Sequence, residues 1–381
     1  MELKRNWIRL LPLMLPLTFL SACGWAPVAP DATDSGALAP DPLAPRLDPI
    51  PSRHFPEVSA QQEVLGQLQV VFSRYDNTLV DFARRYDLGL EELTRANPAV
   101  DMWLPGEGTA IFLPTEHVIP DAPRDGLLLN LPSMRLLYFE PLQAGRDGTE
   151  AVWSVTSHPV GIGREGWETP TGEAKVVSKA HKPTWYPPAS VRAEHAEAGD
   201  PLPGVVPPGP DNPLGEYALG LSLPGYLIHG TNKPPGVGMR VSHGCVRLYP
   251  EDIEALYAKV PIGTPVRIVN QPVMAGWRDG QLYLEVHPPL SEDERDLEQE
   301  VQRVVVAALE RGGRPDAVTD DSAVAAVVER RDGIPYPILA GDPPPRHYLA
   351  SARVVRNDLL HDTEKAEDTE GAETLKPSPG R

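Results

Sequence analysis

The residues most able to do chemistry lie in Tyr226-Leu-Ile-His-Gly-Thr-Asn232 and Met239-Arg-Val-Ser-His-Gly-Cys-Val-Arg-Leu248. The chain has only two cysteines; Cys23 closes an N-terminal leader, so Cys245 is the one thiol expected in the folded part. His243 precedes it by two residues, Arg247 follows by two, and His229 lies 245 − 229 = 16 positions upstream. The thiolate is the reactive form of cysteine, and neighbouring imidazole or cationic groups lower its pKa from about 8.5. A base within hydrogen-bond reach completes an activated nucleophile. Gly230 and Gly244 allow close approach of backbone, and the N–H groups of Gly244 and Cys245 are candidates to face a developing oxyanion. A lone cysteine is most often an inert small hydrophobe; the grouping of His229, His243, Cys245 and Arg247 argues for chemistry instead. Zinc is the other reading of His229, His243 and Cys245. Structural zinc sites favour four ligands in paired spacing, and no second thiol is present to complete one. No metal and no cofactor is therefore expected.

The pattern H-G-x-N…S-H-G-C-V-R-L resembles the signature of the L,D-transpeptidases of bacterial cell walls, the YkuD-type domain. Gly161-Ile-Gly163, Thr169-Pro-Thr-Gly172, Pro183-Thr-Trp185 and Pro207-Pro-Gly-Pro-Asp-Asn-Pro-Leu-Gly215 resemble the family's recurrent segments, in the family's order. The resemblance implies Cys245 as nucleophile, His229 as base, His243 in a supporting role, and Arg247 as the residue that meets a substrate carboxylate. Ser242 and Asn232 of the signature are assigned to the substrate as well. It also implies the substrate: a tetrapeptide stem of peptidoglycan, attacked at the diaminopimelate–D-Ala bond to give a thioester acyl-enzyme. The acceptor is an amine, from a second stem (a 3–3 cross-link) or from a lysine of a Braun-type lipoprotein. A hydrolase of the same fold (an L,D-carboxypeptidase or a lipoprotein-releasing amidase) and an inactive glycan-binding scaffold are the alternatives.

The rest of the chain must position and deliver these residues. With 381 residues, 53 acidic against 35 basic and a formal charge of −18, there is room for two domains and a tail. That charge gives no basic face for nucleic acid. Lys4, Arg5 and Arg9 followed by the apolar run Leu10 to Leu20 read as a signal peptide, the run being too short and Pro-interrupted to span a membrane. Leu20-Ser-Ala-Cys23 resembles a lipobox, which implies a lipid-anchored mature protein starting at Cys23. Gly24, not Asp, follows Cys23, which points to the periplasmic face of the outer membrane. Residues 24–62 are rich in Pro and Ala and read as a tether, about 30 Å long as a flexible coil and about 100 Å if wholly polyproline-like.

Residues 64–115 are expected to form a small domain. Leu68 to Phe72 and Ala110 to Pro114 read as strands around two helices, the first capped by Thr78 and the second carrying Leu90, Leu93 and Ala96. This βααβ order resembles a LysM domain, a binder of glycan strands. From 124 to 270, short β runs with turn signals predict a mainly β catalytic domain, a β-sandwich of L,D-transpeptidase type by resemblance. One helix, Glu251 to Lys259, opens at Pro250. The Pro-rich insertion from His181 to Gly215 is long for a structureless loop and reads as a lid, with Trp185, Tyr186 and Asn212 as candidates to line a substrate groove. Residues 271–360 form a partly helical extension without a recognisable motif, and 361–381 an acidic, disordered tail.

Overall fold

The computed structural model describes residues 54–143 and 150–359. The leader with Cys23, most of the tether and the acidic tail lie outside the described residues. The fold is mainly β.

The N-terminal part runs β1 (His54–Ser59), β2 (Val64–Gly66), β3 (Gln69–Phe72), α1 (Leu79–Arg85), α2 (Leu90–Ala96), β4 (Ala110–Leu113) and β5 (Glu116–Val118). Thr78 caps α1 as its type and position require: its hydroxyl accepts the Asp81 N–H while the Asp81 carboxylate accepts the Thr78 N–H. Leu79, Phe82, Leu93 and Ile111 close a core of their own. The tether reading fails at its end, because His54–Ser59 is a strand paired antiparallel with Val152–Pro159. Pro56 does not prevent this, since the register shifts between Phe55 and Val58 and the strand lies at the sheet edge.

The central part contains β6 (Gly126–Asn130), β7 (Arg135–Gln143), β8 (Val152–Pro159), β9 (Ile162–Gly163), β10 (Gly172–His181), α3 (Ala189–Glu197), β11 (Tyr217–Leu221), β12 (Leu227–His229), β13 (Arg240–Ser242), β14 (Val246–Arg247), α4 (Pro250–Lys259) and β15 (Pro265–Val269). Nine strands form one sheet in the order β1-β8-β7-β6-β15-β10-β11-β12-β14, and β13 pairs with β9 beside it. Leu127, Leu129 and Leu136, with Ile228, Val246 and Leu248, bury one face against Ile253 and Leu256 of α4.

The remainder runs β16 (Val273–Arg278), β17 (Gln281–Val286), α5 (Leu297–Arg311), α6 (Asp321–Arg330), β18 (Tyr336–Pro337), α7 (Pro345–Ala350) and β19 (Arg353–Val354). It does not stand apart from the rest. Leu68 and Ala96 from the N-terminal part share its core, and β19 adds a parallel strand to β3. Glu92 is a buried tie: its carboxylate accepts the Gly89 N–H at 3.0 Å and the Arg135 guanidinium at 2.6 Å.

Candidate active site

Two short parallel strands bring the histidine and the thiol together. In the β12–β14 pair, Ile228 faces Val246 and His229 faces Arg247. Ile228 and Val246 point into the core, so alternation sends His229, Arg247 and Cys245, the residue that leads into β14, to the opposite side. Arg247 acts electrostatically on both His229 and Cys245.

His229 is 3 % exposed, and its Nδ1 lies 2.6 Å from the Gly230 carbonyl. A carbonyl only accepts, so a proton on Nδ1 satisfies this contact, and the Leu214 backbone is a second partner of the ring. Burial, helped by the Arg247 charge, lowers the His229 pKa from 6.5 to about 4. A base must be neutral to act. An ordinary imidazole would be only about 3 % neutral at pH 5, whereas one with a pKa near 4 would be about 90 % neutral there. The acid limb of cysteine acylation should thus fall near pH 4, measured by initial rates of adduct formation; a limb near 6.5 would remove His229 from the role. His287 is likewise held neutral, at about 3, chiefly by burial. Both folded-state values are depressed, so the unfolded chain takes up protons first and stability falls as pH drops below about 6.5. Initial rates separate that loss from titration of the base.

The thiol departs from the sequence expectation. Cys245 is half-buried with Sγ 3.7 Å from the Gly225 carbonyl, and burial raises its pKa above the ordinary value; the Leu227 backbone and Arg247 offset this only in part. Desolvation of the thiolate outweighs the nearby cation. The resting state therefore has a neutral thiol on Cys245 and a neutral imidazole on His229.

The turn carrying Cys245 is braced from within. Ser242 Oγ donates to the Cys245 carbonyl at 2.6 Å and accepts the Gly244 N–H at 3.1 Å. Ser242 is buried, and the Gly244 N–H is engaged with its hydroxyl. Gly244 itself is needed, since its φ is +100° and a Cβ there would lie 2.9 Å from Tyr226. Thr169 Oγ1 donates to the Gly244 carbonyl at 2.8 Å and accepts the Gly163 N–H at 3.0 Å, a brace the sequence reading did not assign although Thr169 stood in a noted segment.

The Pro-rich insertion is not structureless. It contains α3, whose Glu194 meets His243 Nε2 at 2.8 Å and pairs with Arg164, while Trp167 packs edge-on against the His243 ring. His243 thus fastens the insertion over the signature segment. Nothing in the spacing of Glu194 or Arg164 announced this.

Asn212 is fully buried and does not line a groove. Its amide donates towards the Pro183, Val206 and Pro207 carbonyls, and its Oδ1 accepts the Leu214 N–H. Prolines offer no N–H, and this one amide supplies donors to a segment short of them. Trp185 is half-buried and bridged to Val206, Tyr186 is 68 % exposed, and Asn232 is exposed with its amide on the Pro210 carbonyl.

Among the described residues, the single group with metal-ligand proximity is Asp87, His158 and Asp252, buried and within 4.8 Å of one another. It contains none of His229, His243 and Cys245.

Comparison with known proteins identifies the family. The L,D-transpeptidase catalytic domain (YkuD) matches residues 124–268. The relative named "Probable L,D-transpeptidase YbiS" of Escherichia coli (strain K12) is 41 % identical over 290 residues, covering 74 % of this chain and 90 % of its own. The chain belongs to the L,D-transpeptidase family. "Probable L,D-transpeptidase ErfK/SrfK" of Salmonella typhimurium is 41 % identical over 286 residues, covering 74 % of this chain and 89 % of its own. The catalytic domain from the E. faecium L,D-transpeptidase, solved by NMR, is 21 % identical over 39 % of this chain and all of its own, with a TM-score of 0.28. Residues 274–338 match the L,D-transpeptidase C-terminal domain, so the extension without a recognised motif is a family element too.

Proposed function

We propose that this L,D-transpeptidase works through a thioester on Cys245, with His229 as its base. The observation that carries the reading is the placement of His229: buried, with Nδ1 on the Gly230 carbonyl, on a strand paired with the one that follows Cys245. Because the thiol rests protonated, proton transfer to the His229 imidazole accompanies attack by sulfur on the L-centre carbonyl of diaminopimelate. The Cys245 N–H is assigned to the tetrahedral oxyanion. Collapse breaks the bond to D-Ala, whose amine leaves with the proton from the imidazolium. An acceptor amine then adds to the thioester, gives its proton to His229, and releases Cys245. Arg247 holds a donor carboxylate. The LysM-like segment would hold glycan strands, and a lipid on Cys23 would keep the enzyme at the periplasmic face of the outer membrane.

Mass spectrometry of muropeptides after incubation with purified sacculi tests the acceptor, with and without a lipoprotein C-terminal peptide. Cross-linked 3–3 dimers, or a peptide-linked stem, are the expected products. Tripeptide stems alone would make water the acceptor and the enzyme a carboxypeptidase. In cells making either form, wild-type protein should partition with membranes and Cys23→Ser with the soluble periplasm; equal partition would remove the anchor.

A further inference from the structure

The loop joining the base to the nucleophile rests on the small N-terminal domain. Leaving His229, the chain passes a 3-10 turn at Pro234–Gly236 and reaches Val237, Gly238 and Met239 before β13 begins. There the first N–H groups of α2, which have no partner inside their own helix, find acceptors in the loop. Leu90 N–H donates to the Val237 carbonyl at 3.3 Å and Glu91 N–H to the Gly238 carbonyl at 3.1 Å. Gly89 and Gly238 meet backbone to backbone: a Cβ on Gly238 would lie 2.1 Å from the Gly89 Cα, and one on Gly89 would lie 2.9 Å from the Gly238 Cα. Met239 packs on the small domain's core, and its carbonyl accepts the Ile162 N–H at 3.1 Å. The grip continues on the far side of the thiol. Tyr249 donates its hydroxyl to the Leu88 carbonyl at 3.1 Å, and Arg84 clasps Glu251 with two bonds of 3.0 and 3.1 Å.

We infer that the small domain is the positioning element of the nucleophile turn, acting through the Gly89–Gly238 contact. This rests on Cys245 being the nucleophile. A shift of the loop at Gly238 passes through Met239 into β13 and from there to Ser242, whose hydroxyl holds both the Gly244 N–H and the Cys245 carbonyl. Displacement of a reacting atom by about 1 Å can cost on the order of a hundredfold in rate. Gly89 and Gly238 are thus positioning residues.

Gly89→Ala in the full chain is the test. Gly89 has φ −76° and ψ 145°, a conformation any residue adopts, so the new methyl acts through its clash with Gly238. Acylation by a tetrapeptide donor should lose about tenfold or more in kcat, with KM within about twofold of wild type and cooperative thermal unfolding retained. A folded variant with wild-type kcat overturns the inference. Should the variant fail to fold, hydrogen exchange of the wild type at low denaturant decides: residues 240–246 should lose protection in the same step as α1 and α2. If they stay protected after those helices open, the inference fails. If the wild type itself forms no thioester, it is the proposed function that fails.

Discussion

Cys245→Ala should abolish formation of both acyl-enzyme and product while the protein remains folded. In the proposed reaction sulfur is the atom that bonds to the donor carbonyl, and nothing else in the site replaces it. The Cys245 thiol is half-buried, with a long contact to the Gly225 carbonyl and a backbone contact to Leu227, so removal of its single sulfur deletes little packing. A change of this size should cost about 1 kcal/mol, against a total stability of roughly 5–15 kcal/mol. Intact-protein mass spectrometry with a tetrapeptide donor reads the adduct directly. Wild type should gain the mass of the acyl group, and Cys245→Ala should gain nothing; Cys245→Ser should be inactive as well, because an alkoxide is far harder to form than a thiolate. Residual turnover by Cys245→Ala above a few per cent would end the covalent mechanism. A carbapenem adduct should follow the same pattern.

The signature was legible because its meaning is local. His229 ends β12, and the turn with His243, Gly244 and Cys245 leads into β14, which pairs with β12 through the apolar Ile228 and Val246. The small domain's helices were legible for the same reason, through the Thr78 cap and the periodic Leu79, Phe82 and Leu93. Long-range partnerships were not. Whether Ser242 faces substrate or braces its own turn depends on the path of Gly244, and whether Asn212 lines a groove depends on three proline-segment carbonyls that fold back onto it. Helix α3 hid in a Pro-rich stretch because no proline falls inside it: Pro188 stands at the N-cap, where no N–H is needed. The thiol's pKa ran against expectation because neighbouring residue types announce charge but not burial. The joining of β19 to β3 spans most of the chain and has no local signal at all.

Arg247 is the residue whose substitution should most change donor selection. Its partner across the strands is His229, and alternation places it on the side of Cys245. The protein acids nearest in sequence are already taken: Glu251 is held by Arg84, and Asp252 lies 3.2 Å from His158. No ion pair to Arg247 occurs among the described residues, and its buried Nε has no hydrogen-bond partner. Burial lowers its pKa from 12.5, as expected for a cation without a carboxylate beside it. A donor carboxylate would supply that partner through a bidentate pair, which an ammonium does not reproduce. Arg247→Lys should therefore lose activity although it keeps the charge, and Arg247→Ala should lose more. A hydrogen bond to a charged group contributes about 1.5–3 kcal/mol, which corresponds to roughly ten- to a hundredfold in kcat/KM. The donor supplies the second arm of the cycle, as a tetrapeptide stem with its diaminopimelate carboxylate free or amidated. If guanidinium and carboxylate touch, either change removes the same interaction, and the double change costs little more than one alone. Additive losses would mean that Arg247 never meets that carboxylate, and donor recognition would have to be sought elsewhere in the site.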